Sequence, residues 1–204
     1  MLIKVENPIT DHNLSLFRDK DTDLYHARKC VENLSYSLAN EVSNLLKTKK
    51  VNIETPFTNI VSGMINEKIE IIPILRAGLA MLNPFMEYFP NAHIGLIACK
   101  RNHDLSISMP YEKISRYLGE STVIILDPML ATGSTVSSVI DLVEKRGANK
   151  IIVVSILSVN RGINSVLSKG DYTIVTVSNS DSLNDELYIY PGVGDSGDRL
   201  FGCI

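Results

Sequence analysis

Five short, continuous apolar runs set the strongest limit on what this chain can fold into. They are IEIIPIL (Ile69 to Leu75), HIGLIAC (His93 to Cys99), TVIIL (Thr122 to Leu126), IIVVSIL (Ile151 to Leu157) and YTIVTV (Tyr172 to Val177). A strand with one wet face alternates apolar and polar residues. A run that is apolar throughout and rich in β-branched side chains reads instead as a strand covered on both faces. Between these runs the spacing changes to three- and four-residue steps. Leu79 to Tyr88, ended before Pro90, reads as a helix. So does Ser134 to Arg146, where Val136, Val139, Ile140 and Val143 share a face and Gly147 can cap the end. A longer helix is written by Leu24, Ala27, Val31, Leu34, Leu38, Val42 and Leu45, a single buried stripe suited to packing on a sheet. Strand and helix in alternation predict a parallel, doubly wound α/β sheet flanked by helices.

No linker, repeat or low-complexity tract interrupts this order, so residues 1–204 are expected to form one domain. A net charge of -3 gives no basic footprint for nucleic acid. The longest apolar runs are too short to span a bilayer, and the N-terminal residues lack the regions of a signal peptide. No membrane segment and a cytoplasmic location are therefore expected. Cys30, Cys99 and Cys203 are odd in number and widely spaced, which predicts neither a disulfide framework nor a zinc site.

In a doubly wound sheet, ligands bind beyond the carboxyl ends of the strands. The segment DPMLATGST, Asp127 to Thr135, follows such an end and leads directly into a helix. Gly133 lets backbone N–H groups approach an anion, Thr132, Ser134 and Thr135 supply hydroxyls, and the helix N-terminus adds partial positive charge. That combination suits a phosphate monoester, although a plain capped turn uses the same residue types. Arg76 stands at the same edge, after IEIIPIL and before Gly78 opens the next helix, where it suits a diphosphate oxygen. The C-terminal segment YIYPGVGDSGDRLFGCI contains the dinucleotide spacing at Gly192, Gly194 and Gly197. The context argues against that fingerprint: no acidic residue follows about twenty positions later, and the remaining length leaves no room for a helix. An irregular loop that meets a small planar ligand with its backbone is expected instead.

The segments PILRAGLAM, DPMLATGST and YIYPGVGDSGDRLFG, in this order and separation, resemble the uracil phosphoribosyltransferases. NPITDHNLSLFRD and VNIETPF extend the resemblance over essentially the whole chain. It implies an α/β sheet with a small hood over the base and a flexible β-hairpin over the active site. The reaction it implies joins uracil to 5-phosphoribosyl 1-diphosphate (PRPP), giving UMP and diphosphate with Mg²⁺ as cofactor. The family's 5′-phosphate loop falls on Asp127, Pro128, Met129, Leu130, Ala131, Thr132, Gly133, Ser134 and Thr135. Its diphosphate-binding arginines fall on Arg76 and Arg101, its ribose and metal aspartate on Asp195, and its uracil-binding backbone on Ile189, Gly194, Asp195 and Ser196. A homo-oligomer of two or more copies and activation by GTP are also implied.

Three departures accompany the resemblance. After Arg101 the chain reads NHDLS, with His103, Asp104, Leu105 and Ser106 where the family carries two acidic residues and Thr-Leu. This is the expected hairpin, Arg101 to Tyr111. DSLND, Asp181 to Asp185, replaces a Gly-Leu-Asn-Glu ending, and Ser134 replaces a glycine. The altered hairpin motivates a second reading: a catalytically weak, nucleotide-sensing regulatory protein that kept the pocket. No side chain is an obvious general base for uracil N1: Asp195 is a candidate, but the ribose role that the resemblance implies competes, and His12, His26, His93 and His103 form no paired catalytic arrangement.

Overall fold

A computed structural model describes residues 1–102, 106–179 and 182–202, Arg101 by its backbone alone. In chain order the elements are β1 (Leu2–Lys4), α1 (Pro8–Arg18), α2 (Leu24–Ser43), β2 (Thr48–Glu54), β3 (Asn59–Ile65), β4 (Lys68–Leu75) and α3 (Leu79–Tyr88). There follow β5 (His93–Ile94), β6 (Leu96–Arg101), β7 (Ile107–Lys113), β8 (Ser121–Leu126), β9 (Met129–Leu130), α4 (Ser134–Lys145) and β10 (Lys150–Ser158). The chain closes with α5 (Asn160–Leu167), β11 (Thr173–Ser178), β12 (Ser182–Leu183), β13 (Ile189–Tyr190) and α6 (Ser196–Phe201).

The central sheet runs β1-β11-β10-β8-β4-β6-β7, with β5 beside β4 and β9 beside β10. Every pairing in it is parallel except that of β6 with β7. The five apolar runs all lie in this sheet, and their uniform hydrophobicity has a direct cause. In β8, Val123 and Ile125 face the core under α4 and α5, whereas Ile124 and Leu126 face the core under α1, α2 and α3. Successive side chains point to opposite faces, and both faces are covered. Of the helix stripe read from residue 24 onward, Ala27, Val31, Leu34, Leu38 and Val42 are buried as expected, whereas Leu24 at the first turn is 39% exposed and Leu45 lies beyond the helix end.

Two features depart from the sequence reading. His93 to Cys99 is not one strand: Gly95 separates β5 from β6, which then turns into an antiparallel pair with β7. The C-terminal segment does hold a helix, the six-residue α6, because Asp195 caps it by accepting Asp198 N–H and Gly202 ends it at φ 69°. Six residues are still too few for the long helix of a dinucleotide site. The ribbon β2 and β3 had no strand reading in the sequence, since its residues neither alternate cleanly nor form an apolar run. Among the described residues, no helix is long and apolar enough to cross a membrane.

Candidate active site

The carboxyl edge of the sheet gathers the loop after β8, the β4–α3 junction, part of β6 and the segment from 186 to 197 around a cavity of about 440 Å³. The register explains the meeting: β4 pairs with β8 as far as Pro73 and Leu126, so Asp127, one residue further on, and Arg76, three residues further on, both emerge at the carboxyl edge of the sheet. Of the residues expected from sequence, Arg76, Asp127, Met129, Ala131, Thr135, Ile189, Gly194, Asp195 and Ser196 line this cavity. A side recess of about 30 Å³ enters the loop itself and adds Leu130, Thr132 and Gly133. Pro128 and Ser134 line neither. The Pro128 carbonyl instead accepts N–H groups from Ile156 and Leu157, and the Ser134 hydroxyl lies 2.9 Å from that of Thr132.

The loop is held from beneath. Met129 and Leu130 pair with Leu157 and Ser158 of β10, and the Leu130 carbonyl accepts the Val159 N–H. Gly133 occupies the cap of α4 at φ 79°, and a Cβ there would come within 2.8 Å of the Gly162 carbonyl. Only glycine combines that left-handed backbone with so close a neighbour. Asp127 is half-buried at the pocket floor. Burial pushes its carboxyl up to about 6, against the opposing effect of the Met129 N–H, whose bond to Oδ1 is long at 3.4 Å. Burial also pushes the nearby Cys99 thiol up to about 11, with the Asp127 charge adding to it.

On the opposite wall, Arg76 Nη2 donates to Asp198 Oδ1 at 2.9 Å. Asp195 accepts the Asp198 N–H through Oδ1 at 2.9 Å. Ile189 reaches the cavity from β13, which pairs with β12 in a small antiparallel ribbon. Its turn is shaped by Asn184, whose Oδ1 accepts N–H groups from Glu186 and Tyr188. Arg101 ends β6 opposite Ile107, and only its backbone position is described. Within the expected hairpin His103, Asp104 and Leu105, and within the altered DSLND segment Asp181, lie outside the described residues. His26 and His93 are exposed, each beside an acidic side chain.

Sequence reasoning missed Ala77, Cys99, Glu186, Leu187 and Tyr188, all of which line the cavity. Each adjoins or nearly adjoins a residue that was expected: Ala77 follows Arg76, Cys99 is two before Arg101, and Glu186 to Tyr188 precede Ile189. Ala77 and Leu187 carry no reactive group, and the Cys99 thiol, Glu186 carboxylate and Tyr188 phenol belong to no motif, so proximity along the chain was the available signal.

Residues 4–203 match the family model described as uracil phosphoribosyltransferase. The chain is 35% identical over 204 residues to a uracil phosphoribosyltransferase of Symbiobacterium thermophilum, covering 98% of both chains. It is 37% identical over 202 residues to that of Clostridium tetani, covering 98% of this chain and 97% of the relative. Among solved structures, protein AQ2163 of Aquifex aeolicus superposes with a TM-score of 0.91 at 32% identity, over 100% of this chain and 99% of that one. A purine phosphoribosyltransferase of Pyrococcus horikoshii, 19% identical with a TM-score of 0.53 over 74% of this chain and 84% of its own, shares the fold. A cavity at the carboxyl edge, walled by the loop after β8, Arg76 and the glycine-rich segment around Gly194, thus sits in a sequence matched almost end to end: the chain belongs to the uracil phosphoribosyltransferase family.

Proposed function

We infer that the protein transfers the phosphoribosyl group of PRPP to uracil, forming UMP and diphosphate in pyrimidine salvage. The observation that carries this reading is the convergence of Arg76, the Asp127 to Thr135 loop and the Ile189 to Ser196 segment on one cavity, in a chain with whole-length kinship to the family. No observation favours the regulatory alternative.

The division of labour follows from chemistry. The recess among Leu130, Thr132 and Gly133 takes the 5′-phosphate, where hydroxyls and the N-terminus of α4 meet its charge. Arg76 and Arg101 bind the diphosphate, and the backbone of Ile189 and Gly194 to Ser196 holds the base. The bond from C1′ to the diphosphate oxygen breaks with its electrons on the leaving group, N1 of uracil bonds to C1′, and the N1 proton is released. Positive charge builds on the sugar as in glycoside hydrolysis, so the protein's work is to hold N1, C1′ and the leaving oxygen in line and to stabilise the departing charge.

The donor set fits Mg²⁺. Asp127 and Asp195 both line the cavity, and among the described residues no three His, Cys, Asp or Glu side chains gather into a metal cluster. Sparse oxygen donors suit a hard cation that takes most of its ligands from substrate and water. Asp195 would hold it, and it would supply charge neutralisation on the diphosphate.

A homo-oligomer completes the reading. Among the described residues the ribbon of β2 and β3 pairs with no other strand, and with its turn it exposes Phe57 (98%), Val61, Met64 and Ile65. A second copy is the partner proposed to cover it, since an isolated two-stranded ribbon gains little stability by itself. Activation by GTP and a cytoplasmic location belong to the same proposal through the family resemblance. Conversion of labelled uracil to UMP, with PRPP and Mg²⁺ and with or without GTP, tests the activity. Absence of UMP would refute the function, and an unchanged rate the GTP effect. Sedimentation as a monomer at micromolar concentration would refute the assembly.

A further inference from the structure

The tail helix α6 is fixed to the N-terminal helices by two arginines. Arg199 donates through Nη1 to the carbonyls of Phe17 (2.5 Å) and Val193 (3.3 Å) and through Nη2 to that of Asp19 (2.7 Å), with its guanidinium 5.4 Å from the Phe17 ring centroid. Arg28 Nε donates to the Leu200 carbonyl at 2.7 Å. Leu200 is fully buried beneath them. The helix is therefore a platform tied to α1 and α2 rather than a loose terminus.

From that platform Asp198 reaches Arg76. Asp198 Oδ1 accepts from Arg76 Nη2 at 2.9 Å, and the side chains are 53% and 41% exposed for Arg76 and Asp198. An ion pair so exposed contributes little to stability. Its effect is on direction. A guanidinium is a rigid planar fork with five N–H donors, so fixing one nitrogen constrains where the whole fork points. The guanidinium also lies close to the helix itself: a Cβ built at Gly197 would be 3.5 Å from Arg76 Nη2 and 4.0 Å from Nε, which places this edge of the fork beside the first turn of α6.

We propose that Asp198 is the positioning residue for Arg76, locking the leaving-group arginine to the same helix whose entrance, Asp195 and Ser196, faces the base. The inference rests on the proposed function, in which Arg76 binds diphosphate. One rigid body then registers both ends of the reaction line, the departing oxygen and the attacking nitrogen, across C1′. In-line displacement is sensitive to small misplacements, which gives such registration its value.

The test is a double-mutant cycle read by calorimetry with three ligands in the presence of Mg²⁺: PRPP, inorganic diphosphate and ribose 5-phosphate. Asp198→Ala should weaken PRPP and diphosphate by at least about fivefold, a conservative share of what a charged hydrogen bond carries, and leave ribose 5-phosphate within about twofold. Asp198→Asn keeps the accepting oxygen and should restore most of the loss. In an Arg76→Ala background, Asp198→Ala should have no further effect. Equal weakening of ribose 5-phosphate, failure of Asn to rescue, or additivity with Arg76→Ala would overturn the proposal. Should the Ala variant not fold, Asp198→Ser, too short to reach Nη2, carries the same cycle. Binding is measured directly, so a wild-type protein that makes no UMP would sink the proposed function while leaving the Asp198 result readable.

Discussion

The hydroxyl of Ser155, buried in β10, accepts the N–H of Leu130 at 3.1 Å while donating to the Leu157 carbonyl at 2.9 Å. A strand interior thereby holds the middle of the Asp127 to Thr135 loop. Ser155→Ala leaves a buried N–H and a carbonyl each short of one partner. The expected loss is about 1 to 3 kcal/mol of stability in urea unfolding, with weaker PRPP binding. A variant as stable as wild type would show that the loop keeps its shape without this hydroxyl.

Asp127 gives a pH signature. Burial raises its carboxyl from an ordinary 3.8 to about 6. The folded value lies above the unfolded one, so the ionised group costs stability at neutral pH. That cost fades as pH falls from about 6 toward 3.8, where the folded protein takes up the proton first. Asp127→Asn should therefore melt a few degrees higher at pH 7.5, with the difference shrinking below pH 6. It should also bind PRPP more weakly. The ratio of wild-type to variant kcat/KM for PRPP should fall as pH drops through about 6, since only the wild type loses a charge there. A flat ratio contradicts the assignment.

Two neighbouring loop positions separate binding from backbone geometry. Thr132→Ala removes a hydroxyl at the recess and should cost roughly 1.5 to 3 kcal/mol of PRPP binding with little change in melting temperature. Gly133→Ala forces a Cβ to 2.8 Å from a carbonyl at φ 79°, and should lower both. Calorimetry beside thermal melting distinguishes the pair; identical behaviour of the two variants would be the adverse result.

Base choice follows from a backbone-read edge. If main-chain groups of Ile189 and Gly194 to Ser196 meet the base, N3–H of uracil donates to a carbonyl and the exocyclic oxygens O2 and O4 accept N–H groups. Cytosine inverts two of these roles. At about 1 to 3 kcal/mol per unsatisfied buried group, discrimination should approach roughly 10⁴-fold in kcat/KM. 5-Fluorouracil preserves the donor and acceptor order and should remain a substrate. Cytosine used within about tenfold of uracil would rule out this mode of reading.

The sheet and the loop were legible because their signals are local: a doubly covered strand must be apolar throughout, and an anion loop at a helix entrance needs small and hydroxylated residues. Arg76 and Asp127 could be placed at one edge for the same reason. The α6 helix was not legible, because its stability comes from the Asp195 cap and from distant Arg28 and Phe17 rather than from its own composition. Nor was the splitting of the His93 to Cys99 run at Gly95. There a Cβ would strike Ile114 at 2.6 Å, a neighbour brought in by the returning strand. The walls at Cys99 and at Glu186 to Tyr188 depend on pairing and turn geometry that no single residue encodes.

The grip of Arg199 on Phe17 and Asp19 joins positions about 180 residues apart in sequence. During synthesis the Asp127 to Thr135 loop can form against β10 as soon as that strand is made, but the Gly194 to Gly197 side of the cavity cannot close until α6 emerges and finds α1. On the proposed function, a ribosome-bound chain that stops short of Val193 should thus bind phosphate ligands before it can recognise a base, which makes the arrival of α6 the moment at which selectivity is added to a phosphate-binding fold.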